Sequence, residues 1–172
     1  MRQGRCNIHV QKGQILRDFQ LKIRQKESLD ITDATAMDAG AIGAILSEAV
    51  DLADWHPRVH SRAEEIHYCS RMIELGWVRV ARKNGKVVGF IARDRQDIVA
   101  LYIDSEVQRS GVATQLLKDA KETETRLIAW CYVQNIAAQK LYIEEKFWEV
   151  SQTDGLKNDA KLPDIKYIWK KK

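Results

Sequence analysis

The stretch Asp97 to Lys118, DIVALYIDSEVQRSGVATQLLK, restricts the fold more than any other part of the chain. Ile98 to Ile103 is a nearly continuous apolar run rich in β-branched and aromatic residues, which predicts a buried strand. Gln108-Arg109-Ser110-Gly111-Val112-Ala113 follows as a small-residue turn, and Thr114 to Lys121 predicts a helix. The first amides of a helix have no internal acceptor and lie at the positive end of its dipole. A phosphate or pyrophosphate fits there if no side chain blocks its approach. Gly111 and Ala113 are small enough to leave that approach open. The loop carries neither GxGxxG nor GxxxxGK[ST], so it is neither a dinucleotide fingerprint nor a P-loop. The plainer reading is an ordinary strand-to-helix turn in which Gly111 eases the helix start.

The rest of the chain supplies alternating strands and helices. Leu29 to Thr35 alternates as a first strand. Asp38 to Leu52 places Ile42, Ile45, Leu46 and Ala49 at helical spacing. Ser61 with Glu64 three residues on forms a capping box for a second helix that runs to Leu75 and stops at Gly76. Trp77–Arg82 and Lys86–Arg93 alternate around Lys83-Asn84-Gly85, a strong hairpin signal. After the central strand, loop and helix come a strand over Arg126–Tyr132, a helix over Asn135–Lys146 and a strand over Phe147–Gln152. A polar loop over Thr153–Asp164 and a closing strand over Ile165–Trp169 complete the chain. No repeat or interdomain linker interrupts this order.

At 172 residues the chain predicts one domain with a proper core. No apolar run approaches the ~20 residues needed to cross a bilayer, and no apolar signal segment stands near the N-terminus. No membrane partner is expected. Cys6, Cys69 and Cys131 are odd in number and widely spaced, which predicts a reducing, cytoplasmic setting without a disulfide framework. Residues 1–28 hold seven basic and two acidic side chains, a local +5, so the remainder carries −1 of the overall +4. That segment reads as a weakly structured extension outside a 29–172 domain. A basic arm is able to bind nucleic acid, but no helix-turn-helix or stacking platform supports it, so nucleic acid is not the expected partner.

A second motif, Asn135-Ile-Ala-Ala138-Gln-Lys-Leu141-Tyr142-Ile-Glu-Glu-Lys146-Phe147, puts Asn135, Ala138 and Tyr142 on one helix face. Taken singly, Asn135 is a good N-cap, Ala138 a good helix former and Tyr142 a good core aromatic. Together with the loop, in which Gln108, Gly111 and Ala113 fill a Gln/Arg-x-x-Gly-x-Gly/Ala pattern, the motif resembles the two signatures of the GNAT superfamily of N-acyltransferases. The resemblance covers about residues 29–169. It departs at Lys146, where the family has glycine.

The resemblance implies a mixed α/β fold: a central, mostly antiparallel sheet with a splayed parallel pair, Ile98–Ile103 and Arg126–Tyr132, and helices on both faces. It implies acetyl-CoA as cosubstrate and no metal. The pantetheine would pair with backbone groups of Leu101, Tyr102 and Ile103, and Asn135 would contact the same arm. The pyrophosphate would sit on Gln108, Arg109, Ser110, Gly111, Val112, Ala113 and Thr114. Tyr142 would protonate the leaving thiolate. The expected reaction is direct attack of an amine on the thioester, with a small-molecule or amino-acid-like acceptor. A protein amine as acceptor, or a non-catalytic acyl-CoA sensor, stays open. The family often places a base on the central strand where this chain has Ala100. His56, His60, Glu64 and Glu65 are therefore the candidates, each with a plainer role in capping or surface charge. The closing hairpin is able to pair between subunits, so a homodimer is possible.

Overall fold

The computed structural model describes residues 29–171. Seven strands form one sheet in the order β1-β2-β3-β4-β5-β7-β6. They span Leu29–Asp33 (β1), Val78–Lys83 (β2), Lys86–Asp94 (β3), Asp97–Ile103 (β4), Arg126–Tyr132 (β5), Trp148–Thr153 (β6) and Asp164–Lys170 (β7). The helices are Ala39–Asp51 (α1), Arg62–Glu74 (α2), Val112–Thr123 (α3) and Ile136–Glu144 (α4). Every strand pair is antiparallel except β4–β5. This is the mixed α/β architecture expected from the sequence.

β3 is buried from Val87 to Ala92, so its two faces feed two cores. On one side Phe90 and Ala92 meet Ile42, Ile45 and Leu46 of α1 and Cys69 and Met72 of α2. On the other, Val88 and Ile91 belong with Leu116 and Leu117 of α3, and Tyr142, Phe147 and Tyr167 extend that core under β5 and β7. Each such fully buried side chain contributes about 1.5–3 kcal/mol through removal from water. Helices therefore cover both faces of β3, so the alternation expected of Lys86–Arg93 does not separate a buried face from an exposed one.

The first strand is shorter than expected. It ends at Asp33, and Thr35 caps a 3-10 turn, Ala36–Asp38. The Asp38 carboxylate accepts from the Thr35 amide at 2.8 Å and from Arg82 at 2.8 Å, which diverts the chain into α1. The Asn84-Gly85 hairpin and the Ser61–Glu64 capping box form as read.

The departure at Lys146 leaves the turn intact. Lys146 adopts φ 66°, the left-handed conformation that glycine supplies more cheaply. Its amide donates to Ile143 O at 3.0 Å and the Phe147 amide to Tyr142 O at 2.9 Å, which delivers Phe147 to the core.

Candidate active site

β4 and β5 each have seven residues, yet they pair only through Asp97↔Ile128 and Ile98↔Ala129. The register between β3 and β4 slips at the same place, where Ala92 faces Ala100 and Arg93 faces Ile98. Val99 is the extra residue of that bulge. A bulge bends its strand, and here it does so where β4 parts from β5. Beyond it the edges of the two strands toward each other are left without ladder partners, and a cleft of ≈ 700 Å³ opens over them. An unpaired strand edge in a cleft accepts an extended ligand as an added strand.

At the mouth of the cleft stands α3. Its N-cap, Gly111, has φ 87° and supplies no side-chain hydrogen bond. The first intrahelical bond is Gln115 N to Gly111 O at 3.0 Å, so the amides of Val112, Ala113 and Thr114 precede it. α2 and α4 are different: Ser61 Oγ accepts from Glu64 N at 3.3 Å, and Asn135 Oδ1 accepts from Ala138 N at 3.0 Å. A Cβ built on Gly111 would meet nothing within 4 Å, so glycine is required here by its φ and by any ligand that approaches, not by protein packing. Gly89 of β3 is a packing position instead: a Cβ there would lie 2.7 Å from Ile103 Cδ1 and 3.2 Å from Val112 Cγ1. It lets the end of β4 and the start of α3 sit closely together.

Of the cosubstrate residues expected from the sequence, Leu101, Tyr102, Ile103, Gln108, Arg109, Gly111, Val112, Ala113, Thr114 and Asn135 all line this cleft. Ser110 does not; its hydroxyl turns back to donate to Val107 O at 2.5 Å and fastens the loop. Tyr142 does not line it either. It is 5% exposed, stacks on Tyr167 with centroids 5.6 Å apart, and touches Phe147. Its helix neighbours Ala138 and Leu141 do line the cleft, while Tyr142 itself packs in the core. Burial, then the neighbouring Cys131 and Tyr102, push its pKa far above the usual tyrosine value. The phenol therefore stays protonated through the neutral range.

The four candidate bases part company. Glu64 is committed to the capping box, accepting from the Ser61 amide at 2.8 Å. Glu65 is buried, accepts from the Ser47 hydroxyl and pairs with Arg58 at 2.8 Å. His60 faces Asp159 at 3.7 Å on the surface. Only His56 lines the cleft. Burial lowers its pKa; the Pro57 carbonyl and Glu65 oppose that shift and Arg58 adds to it. Ala100 is 7% exposed and sits in the core under α1 and α2. Among the described residues, no three His, Cys, Asp or Glu side chains converge as metal ligands, and no helix is long and apolar enough to cross a membrane.

Some wall residues had no motif to announce them. Lys140 and Glu144 belong to α4, where they follow Ala137 at i+3 and i+7 on a different face from Asn135, Ala138 and Tyr142. Trp55 and Tyr132 lie 77 positions apart, and only the fold brings their rings to 5.8 Å.

A seven-stranded sheet splayed at its one parallel pair, with an uncapped helix start at the cleft mouth, places the protein with a class of solved acetyltransferase folds. The apo form of YjaB from Escherichia coli is 21% identical over 83% of this chain and 97% of its own, with a TM-score of 0.70. yncA from Salmonella typhimurium, solved with its cofactor acetyl-CoA, is 22% identical over 83% and 93%, with a TM-score of 0.62. The ribosomal-protein-alanine N-acetyltransferase of Brucella melitensis is 23% identical over 83% and 100%, with a TM-score of 0.64. No curated protein sequence matches the chain. Residues 45–147 match the sequence model of the Acetyltransferase (GNAT) family, and the chain belongs to that family.

Proposed function

We propose that the protein moves the acetyl group of acetyl-CoA to a primary amine by direct attack of the amine on the thioester. The observation that carries this reading is the divergence of β4 and β5 beyond Ile98, beside an uncapped α3 start in one cleft. An extended pantetheine suits the open strand edges at Leu101, Tyr102 and Ile103. Its pyrophosphate suits the amides of Val112, Ala113 and Thr114, with Gln108 and Arg109 alongside. The Asn135 carboxamide oxygen already caps α4, which leaves its NH2 group for the pantetheine arm.

In the reaction the amine lone pair forms the new C–N bond, the C–S bond breaks, and its electron pair leaves on sulfur. The nitrogen sheds one proton and the thiolate gains one. His56, held neutral in the cleft wall, is the proton acceptor we assign. Tyr142 is the proton donor we assign to the thiolate. Its raised pKa makes it a weaker acid, at about 1.4 kcal/mol per unit, but keeps the proton in place until sulfur needs it.

Calorimetric titration with acetyl-CoA, desulfo-CoA and NADH tests the reading. Saturable binding of both CoA species without NADH is expected. Failure of both CoA species to bind would remove the cofactor assignment.

A further inference from the structure

The cleft has a part that the cosubstrate reading leaves unused. Trp55 and His56, from the connection between α1 and α2, meet Tyr132 at the end of β5. The three ring centroids lie 5.2–5.8 Å apart, with interplanar angles of 62–72°. Edge-to-face contact of this kind is a favoured arrangement of aromatic rings. It makes a fixed corner of inclined rings, and all three line the cleft. We propose that this corner is the acceptor subsite and that it takes a primary amine carried on an aromatic or alkyl body with no carboxylate beside the amine. The proposal rests on the acetyl-transfer reading above.

Between Ala49 and His56 the wall contributes no charged side chain to the cleft. The ionic groups Arg58, Asp51 and Glu65, from α1, α2 and the connection between them, are already paired with one another. Arg58 donates to Glu65 at 2.8 Å, to Asp51 at 2.5 Å and to Ser47 O at 3.1 Å, and Glu65 also takes the Ser47 hydroxyl. No charged side chain of the corner is left to pair with an acceptor carboxylate, and desolvating a carboxylate without a charged partner is unfavourable. The cationic side chains that do line the cleft, Arg109 and Lys140, belong to the loop before α3 and to α4.

Phenethylamine and phenylalanine differ only by the carboxylate, so they are the matched probes. Thiol release from acetyl-CoA would be followed with each, and with a lysine-containing peptide. We expect kcat/KM for phenethylamine to exceed that for phenylalanine and the peptide by at least about tenfold, or ~1.4 kcal/mol. Trp55→Ala should raise KM for phenethylamine about tenfold, Trp55→Phe much less, and the acetyl-CoA Kd should hold within about twofold in both. That Kd also reports folding, and Tyr132→Leu provides the same readout from the opposite wall. Equal or better use of phenylalanine or the peptide overturns the assignment. So does an unchanged KM in Trp55→Ala, or thiol release with none of the three while acetyl-CoA binds. Absence of acetyl-CoA binding by the wild-type chain would instead overturn the transfer reading beneath it.

Discussion

Two single residues carry the plainest tests. Lys146 holds φ 66° at the end of α4, a conformation that costs a non-glycine residue roughly 1 kcal/mol. Lys146→Gly should therefore raise stability by about 0.5–1 kcal/mol, seen as a rise of about 2–4 °C in Tm by calorimetry. A fall in Tm would mean that the lysine side chain contributes more than its backbone costs. Tyr142 is tested by removing one oxygen. Tyr142→Phe keeps the stack on Tyr167 and should lower kcat about 10²–10⁴-fold with little change in KM for acetyl-CoA. A kcat within about twofold of wild type would reduce Tyr142 to a core aromatic and leave the thiolate to be protonated by water.

The elements were legible in the sequence where local chemistry decides them, and less so where contacts across the sheet do. The Asn84-Gly85 hairpin, the Ser61–Glu64 box and the Gly76 stop are set by neighbours in the chain, and they form within a residue or two of expectation. Gly111 and the two GNAT motifs pointed to one cleft wall for the same reason. The shortened β1 was not readable, because Asp38 leaves the strand pattern to meet Arg82, 44 positions away. Nor was the aromatic corner, whose members come from an irregular loop and a strand end. The bulge at Val99 is similar: nothing in ILE-VAL-ALA composition marks which residue will be extra, yet it sets where β4 leaves β5. The strand–loop–helix unit itself can be challenged through Gly111. An alanine there meets no atom within 4 Å but must adopt φ 87°. Gly111→Ala should destabilise by about 1–2 kcal/mol and weaken acetyl-CoA binding tenfold or more, because relief of the strain rotates the first amides of α3 away from the mouth. Unchanged affinity in calorimetry would dissociate the helix start from the pyrophosphate.

On the scale of the entire chain, charge is divided more sharply than structure. The net +4 combines +5 in residues 1–28 with −1 in the rest, which holds the seven described strands and both helix layers. β1 begins at Leu29, which pairs with Lys83 of β2. We propose residues 29–172 as an independent domain, and the test is removal of residues 2–28. The Tm should stay within about 2 °C, since no strand, helix or core cluster described above loses a member. The electrostatic consequence is separate. Acetyl-CoA is anionic, and an arm of +5 raises its local concentration only within a Debye length, ~8 Å at 0.15 M salt and ~30 Å at 0.01 M. The truncated chain should therefore bind acetyl-CoA with a Kd within about twofold of the full chain at 0.15 M salt, and more weakly than it at 0.01 M. A large loss at 0.15 M would place the arm in contact with the ligand and move the domain boundary toward the N-terminus.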